Sequence, residues 1–215
     1  NSTPTFVASN DGPSTRRSDG EDASVAHVVL QLLELVMTLV EHPRLSATLE
    51  SGLAEMIYRA IGYMRMTASQ EESWGDDPNQ YVADEDDDMT TVRATCGMLL
   101  HEMSGAFGGD EVEKAANGGS FSGALAAAVK RRMDEAEAAR VAGDSTWWKL
   151  REATLLAVGT LDDFIVETAR ALAECGRHAT FSAPGFLGLV LDRDLAPGSE
   201  NSIPPFLRGR ALWVA

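Results

Sequence analysis

Positive charge is scarce in this chain. Eighteen Lys and Arg residues stand against 33 Asp and Glu, a formal charge of −15. That balance argues against direct nucleic-acid binding, which needs a cationic footprint; an acidic surface draws cationic partners instead. Cysteine is scarcer still. Cys96 and Cys175 stand alone with no C-x-x-C spacing, so neither a disulfide framework nor a zinc site is expected, and the pattern suits a reducing compartment. The four histidines, His27, His42, His101 and His178, are widely dispersed and read as helix-surface or satisfied core residues. The glycines of "NGGSFSG" at 117–123 lack the preceding strand and the Lys-Ser/Thr ending of a phosphate loop. There is no G-x-S-x-G and no H-E-x-x-H. No enzyme, catalytic residue, metal or cofactor is therefore expected. No apolar run approaches the ~20 residues needed to cross a bilayer, and no secretory signal is legible. Strict apolar–polar alternation is missing too, so strand content should be near nil.

What the sequence does have is hydrophobic material in helical rhythm: 44% of its 215 residues are hydrophobic. Residues 1–22 are small, polar and rich in Pro and Gly and read as a disordered linker. From Ser24, a plausible N-cap, Val25, Val28, Val29, Leu32, Val36, Leu39 and Val40 recur at steps of three and four. Leu30, Leu33, Leu35 and Met37 widen that face, which suggests a helix buried between neighbours. The spacing predicts further helices over about 47–66, from near Met89 past Met103, over 121–141, from Ser145 to about Leu161, and over 162–174 and 184–195. A last one begins at "PPFLRGRALWVA". The chain opens without Met and closes inside this last helix, as a piece of something longer would. In "TWWKLREATLLAVG" adjacent helical positions point about 100° apart, so one of Trp147 and Trp148 can face the core while the other bridges to a neighbouring helix.

Three helix starts share an apolar-Arg pair with a small residue three positions on: Arg93 with Cys96, Arg151 with Thr154, and Arg208 with Ala211. The arginines recur at about 58 residues, two helices per unit, which points to an all-α solenoid. The small residue permits close helix approach, and the Arg can pair with a carboxylate or carbonyl of the next unit.

The most charged stretch is 71–88, which holds Glu71, Glu72, Asp76, Asp77, Asp84, Glu85, Asp86, Asp87 and Asp88 with no Lys or Arg among them. A calcium loop would need Gly and Glu where Met89 and Thr95 stand. Capping the following helix needs one or two carboxylates, each contributing about 0.3–1 kcal/mol. Like charges this close repel even with a screening length near 8 Å, and a basic partner relieves that repulsion. Trp74 and Tyr81 add amphipathic anchors of the kind enriched at interfaces. Residues 71–88 are thus the candidate binding site for a basic protein, against the plainer reading of an inert solvated hinge.

The stretches "EMIYRAIGYMRMTASQEESWGDDPNQYVADEDDD" (55–88), "LAAAVKRRMDEAEAARVAGDSTWWKLREATLLAVGTL" (125–161) and "IPPFLRGRALWVA" (203–215), and more loosely 18–42, resemble the karyopherin-β (importin-β) nuclear transport receptors of the importin-nine type. The departures are the Gly-rich break at 105–123 and "APGSEN" at 196–201. The resemblance implies a superhelix of HEAT repeats that binds basic cargo, core histones and ribosomal proteins included. Release would be regulated by Ran-GTP, and passage would use Phe-Gly repeats of nucleoporins, with shuttling between cytoplasm and nucleus through the pore. On this reading residues 23–215 form about four repeats with an acidic intra-repeat loop at 67–88, and the helices beginning near Met89, Trp147 and Pro205 face the concave side. Two other readings use the same residues: a histone chaperone or scaffold that shields basic proteins without transport, and a HEAT-repeat regulatory subunit of an enzyme.

Overall fold

A computed structural model describes residues 15–16, 22–23, 25–77, 79–81, 91–109, 111, 113–114, 120–196 and 203–215. Among these lie ten α-helices: α1 Val25–Glu41, α2 Pro43–Leu49, α3 Leu53–Tyr63, α4 Ala68–Asp76, α5 Val92–Phe107, α6 Phe121–Val141, α7 Trp147–Thr160, α8 Asp162–Glu174, α9 Ala183–Asp194 and α10 Pro205–Val214. A 3₁₀ turn, Glu50–Gly52, joins α2 to α3. The only extended pairing among the described residues is a two-residue antiparallel ribbon, Thr15–Arg16 against Asp22–Ala23. Most of the stretch read as a linker lies outside the described residues, as does Ser24.

The helices pack as a solenoid. One row runs α1, α5, α7 and α10; α3 and α6 pack side by side, α3 also against α5 and α7 and α6 against α7, and α9 packs on α10. The apolar stripes predict the core well. Val92, Cys96, Leu99, Leu100 and Met103 of α5 are buried, as are Phe121, Leu125, Val129, Met133 and Ala136 of α6. The small residues of the repeat, Cys96, Thr154 and Ala211, are all fully buried at helix contacts. Trp148 is buried and stacks on Phe206 at 6.0 Å, whereas Trp147 is only partly buried.

Three local features differ from the sequence reading. The helix predicted over about 47–66 is divided by the 3₁₀ turn, so α2 and α3 are separate. Helix α1 buries Val29, Leu33 and Val40 but leaves Val25, Val28, Leu32 and Leu35 exposed; it is covered on one face only. Helix α7 begins after Thr146, whose backbone N–H and hydroxyl both donate to Asp144 Oδ1, at 2.7 and 2.8 Å. Asp144, rather than Ser145, therefore organises the turn into that helix.

A polar clasp holds α3 against α6. Arg132 donates from Nε and Nη2 to the Tyr58 carbonyl, at 2.9 and 2.7 Å. The Tyr58 hydroxyl donates to Glu135 at 2.6 Å, and the guanidinium carbons of Arg131 and Arg132 each lie 3.5 Å from the Tyr58 ring centroid. Gly62 makes room for this, since a Cβ there would lie 2.3 Å from Arg132 Nη2. Gly62→Ala is accordingly expected to displace the buried guanidinium and lower stability by roughly 1–3 kcal/mol. Urea unfolding with no change in midpoint would show that the two helices have slack at this point.

Candidate functional site

The chain enters the acidic stretch through a short helix. Thr67 accepts the Gln70 N–H at 3.1 Å while Gln70 Oε1 accepts the Thr67 N–H at 3.0 Å, a reciprocal capping box that starts α4. The first part of the stretch read as a loop is thus helical, and the T-x-x-Q spacing was the signal for it.

Helix α4 sorts its residues by face. Glu72 and Asp76 are exposed, as is Asp77 just beyond; the Asp77 carboxylate accepts from the Asn79 backbone at 2.9 Å. Glu71 pairs with Lys149, a buried residue of α7, so this carboxylate is compensated and does not share the uncompensated charge expected of the whole stretch. Trp74 points inward and is 3% exposed. Its ring meets Tyr81 edge-on at 5.1 Å, with Phe206 of α10 at 6.4 Å and the Arg93 guanidinium at 5.9 Å. Tyr81 is half-buried, and its hydroxyl accepts from Arg210 Nη2 at 2.6 Å. The two aromatics therefore fasten the base of the strip to α5 and α10 rather than stand out from it. Asp84, Glu85, Asp86, Asp87 and Asp88 lie outside the described residues.

Beneath this base is a charged network that the sequence reading only partly foresaw. Glu152 of α7 is fully buried. Arg93 of α5 donates to both its oxygens, at 2.9 and 2.6 Å, and to the Met64 carbonyl at 2.6 Å. Arg210 of α10 donates from Nε to Glu152 Oε1 at 3.0 Å. Burial alone would raise the Glu152 carboxyl, but the charges and hydrogen bonds of Arg93 and Arg210 outweigh it and hold the group below its ordinary range. Arg93 does reach into the next unit as the repeat predicts, and Arg151 pairs likewise with Asp194 of α9 at 2.8 Å. In the third unit the buried ion-paired arginine is Arg210, not the Arg208 singled out by the repeat, which is only partly buried. Two residues along a helix change the face, and spacing to the small residue did not resolve which face looks inward.

A second acidic surface came with no sequence signal, because its residues are distant in the chain. A groove of about 490 Å³ is lined by Glu34, Met37 and Glu41 of α1, Met98, His101 and Glu102 of α5, and Thr160 of α7. Three carboxylates around a methionine-bearing floor suit the aliphatic stem and cationic head of Lys or Arg.

Reactive groups are few. Burial pushes the Cys96 thiol up to about 12, which leaves it protonated and inert. All four histidines are exposed. No three His, Cys, Asp or Glu side chains among the described residues are placed to share a metal ion, and no single described helix is long and apolar enough to cross a membrane.

No family model matches the chain. It is, however, 30% identical over 198 residues to Importin-9 of Drosophila melanogaster, an alignment that takes in 91% of this chain. The chain is related to the importin-β family. It spans 17% of the length of that relative, so the match is to one segment of an importin, and the all-α solenoid is the architecture such a segment should have.

Proposed function

We propose that this segment belongs to a nuclear import receptor and helps to bind basic protein cargo, core histones and ribosomal proteins among them. Kinship with Importin-9 supports the receptor class. The observation that carries the cargo reading is the carboxylate-rich stretch 71–88 with its base locked down: Glu72, Asp76 and Asp77 are displayed while Trp74 and Tyr81 are held inward. The proposed contacts are Glu72, Asp76, Asp77, Asp84, Glu85, Asp86, Asp87 and Asp88, with α5, α7 and α10 toward the cargo. Glu71 serves as a strut to Lys149, and Trp74 and Tyr81 anchor the first part of the stretch. The acidic groove between α1 and α5 offers lysine or arginine a second place to settle. Ran-GTP would regulate release, nucleoporin Phe-Gly repeats would engage the receptor as a whole, and the protein would shuttle between cytoplasm and nucleus.

The test uses the full-length receptor containing this segment, with Asp84, Asp86, Asp87 and Asp88 changed to Asn and Glu85 to Gln. Affinity for a core histone is expected to fall about tenfold or more at low salt, and its dependence on ionic strength to flatten. Unchanged affinity and an unchanged salt slope would reduce the strip to a solvated hinge. Histone binding that is acid-dependent yet indifferent to Ran-GTP would instead favour a chaperone that shields basic proteins without carrying them.

A further inference from the structure

On a chain with net charge −15, one cavity has the opposite character. It measures about 440 Å³ and lies among the end of α6, the start of α7, the end of α9 and Ile203, with Glu137, Arg140, Trp147, Arg151, Arg193 and Asp194 around it. Three guanidinium groups face two carboxylates, and both carboxylates are already engaged. Arg140 grips Glu137 with two hydrogen bonds, 3.0 and 2.7 Å, and Arg151 Nε donates to Asp194 at 2.9 Å.

What is left over is donor capacity. Arg151 is 2% exposed, and its Nη2 is buried with no hydrogen-bond partner among the described residues. A buried guanidinium N–H without an acceptor is costly and uncommon, and Arg is the side chain whose planar fork best matches an oxyanion. Arg193, half-exposed, has among the described residues a single ionic approach, 3.9 Å to Glu137. Arg151 and Arg193 sit on different helices, so the arrangement depends on the fold and not on a local run of charge. The half-buried Trp147 gives the site an apolar wall.

We propose that this cavity is an oxyanion site, taking one carboxylate or phosphate group between Arg151 Nη2 and Arg193. It is independent of the acidic strip and of the cargo reading, and it would give a strongly acidic scaffold one place to receive an acidic group. Inorganic phosphate and acetate, the latter standing for a peptide carboxylate, are titrated separately into the whole chain at constant ionic strength, with the Trp147 indole resonance and calorimetry as readouts. Saturable binding of one anion is expected, weakened about fivefold or more in Arg193→Gln and unaffected in Arg59→Gln, a control on an exposed arginine of α3. Arg151→Lys keeps a cation for Asp194 but removes the second nitrogen of the planar fork, and is expected to abolish binding while Arg193→Gln remains folded by circular dichroism. The anion that saturates the site tells phosphate from carboxylate. Linear, unsaturable shifts for both anions, or equal losses in Arg193→Gln and Arg59→Gln, would overturn the site.

Discussion

Glu152→Ala is expected to cost this chain about 3–5 kcal/mol of unfolding free energy. Arg93 and Arg210 both direct hydrogen bonds to this one carboxylate, and all three side chains are buried. Removing it takes a shared carboxylate from two buried guanidinium groups, and the penalty is mainly that of buried charge losing this ion-pair partner. Chemical denaturation measures the loss. A change below about 1 kcal/mol would mean that both arginines swing out to solvent at little cost. The same carboxylate predicts an acid limb in stability. Its pKa is lower folded than unfolded, where the ordinary value is 4.5, so its contribution is complete above that value and disappears as pH falls through the depressed one. Glu152→Gln should flatten that limb, and an identical acid profile in the variant would show that other carboxylates set it.

Trp74→Ala is expected to lose a comparable amount, about 3–5 kcal/mol, because a fully packed indole leaves a cavity its neighbours cannot close. Tyr81 would lose its edge-on partner at 5.1 Å, and Phe206 and Arg93 would lose a wall. The damage should be localised. Amide exchange in α4 is expected to rise steeply, while α6, which takes no part in this cluster, keeps its protection. An exchange map in which α4 is no more affected than α6 would refute the role of the indole as the fastening of the acidic strip.

These two residues mark where the sequence could be read and where it could not. Helix stripes were legible because burial in stacked helices repeats every three to four residues; Val92 to Met103 and Phe121 to Ala136 needed no tertiary information. The pairing of Arg93 with the next unit was legible as a possibility, since a buried arginine beside a small residue must find an acceptor. Glu152 was not, because it sits in the "LREATL" run like any surface glutamate, and only the crossing of α5, α7 and α10 makes it central. Trp74 misled for the reverse reason. Among so many carboxylates an aromatic reads as a displayed anchor, yet the capping box at Thr67 turns that stretch into a helix, and a helix has an inner face. The groove beside Glu34 and Glu102 and the cavity beside Arg151 are assembled from three helices or more, so no linear pattern announces either.

The single carboxylate clamped from two sides has a mechanical corollary. Stacked-helix proteins usually flex by small slips between neighbours, each interface yielding on its own. Here a slip of α7 against α5 would stretch contacts to Arg93 and also disturb those to Arg210 on α10. Two joints are thereby riveted into one, so this stretch resists bending as a block, and any change of curvature concentrates at its ends.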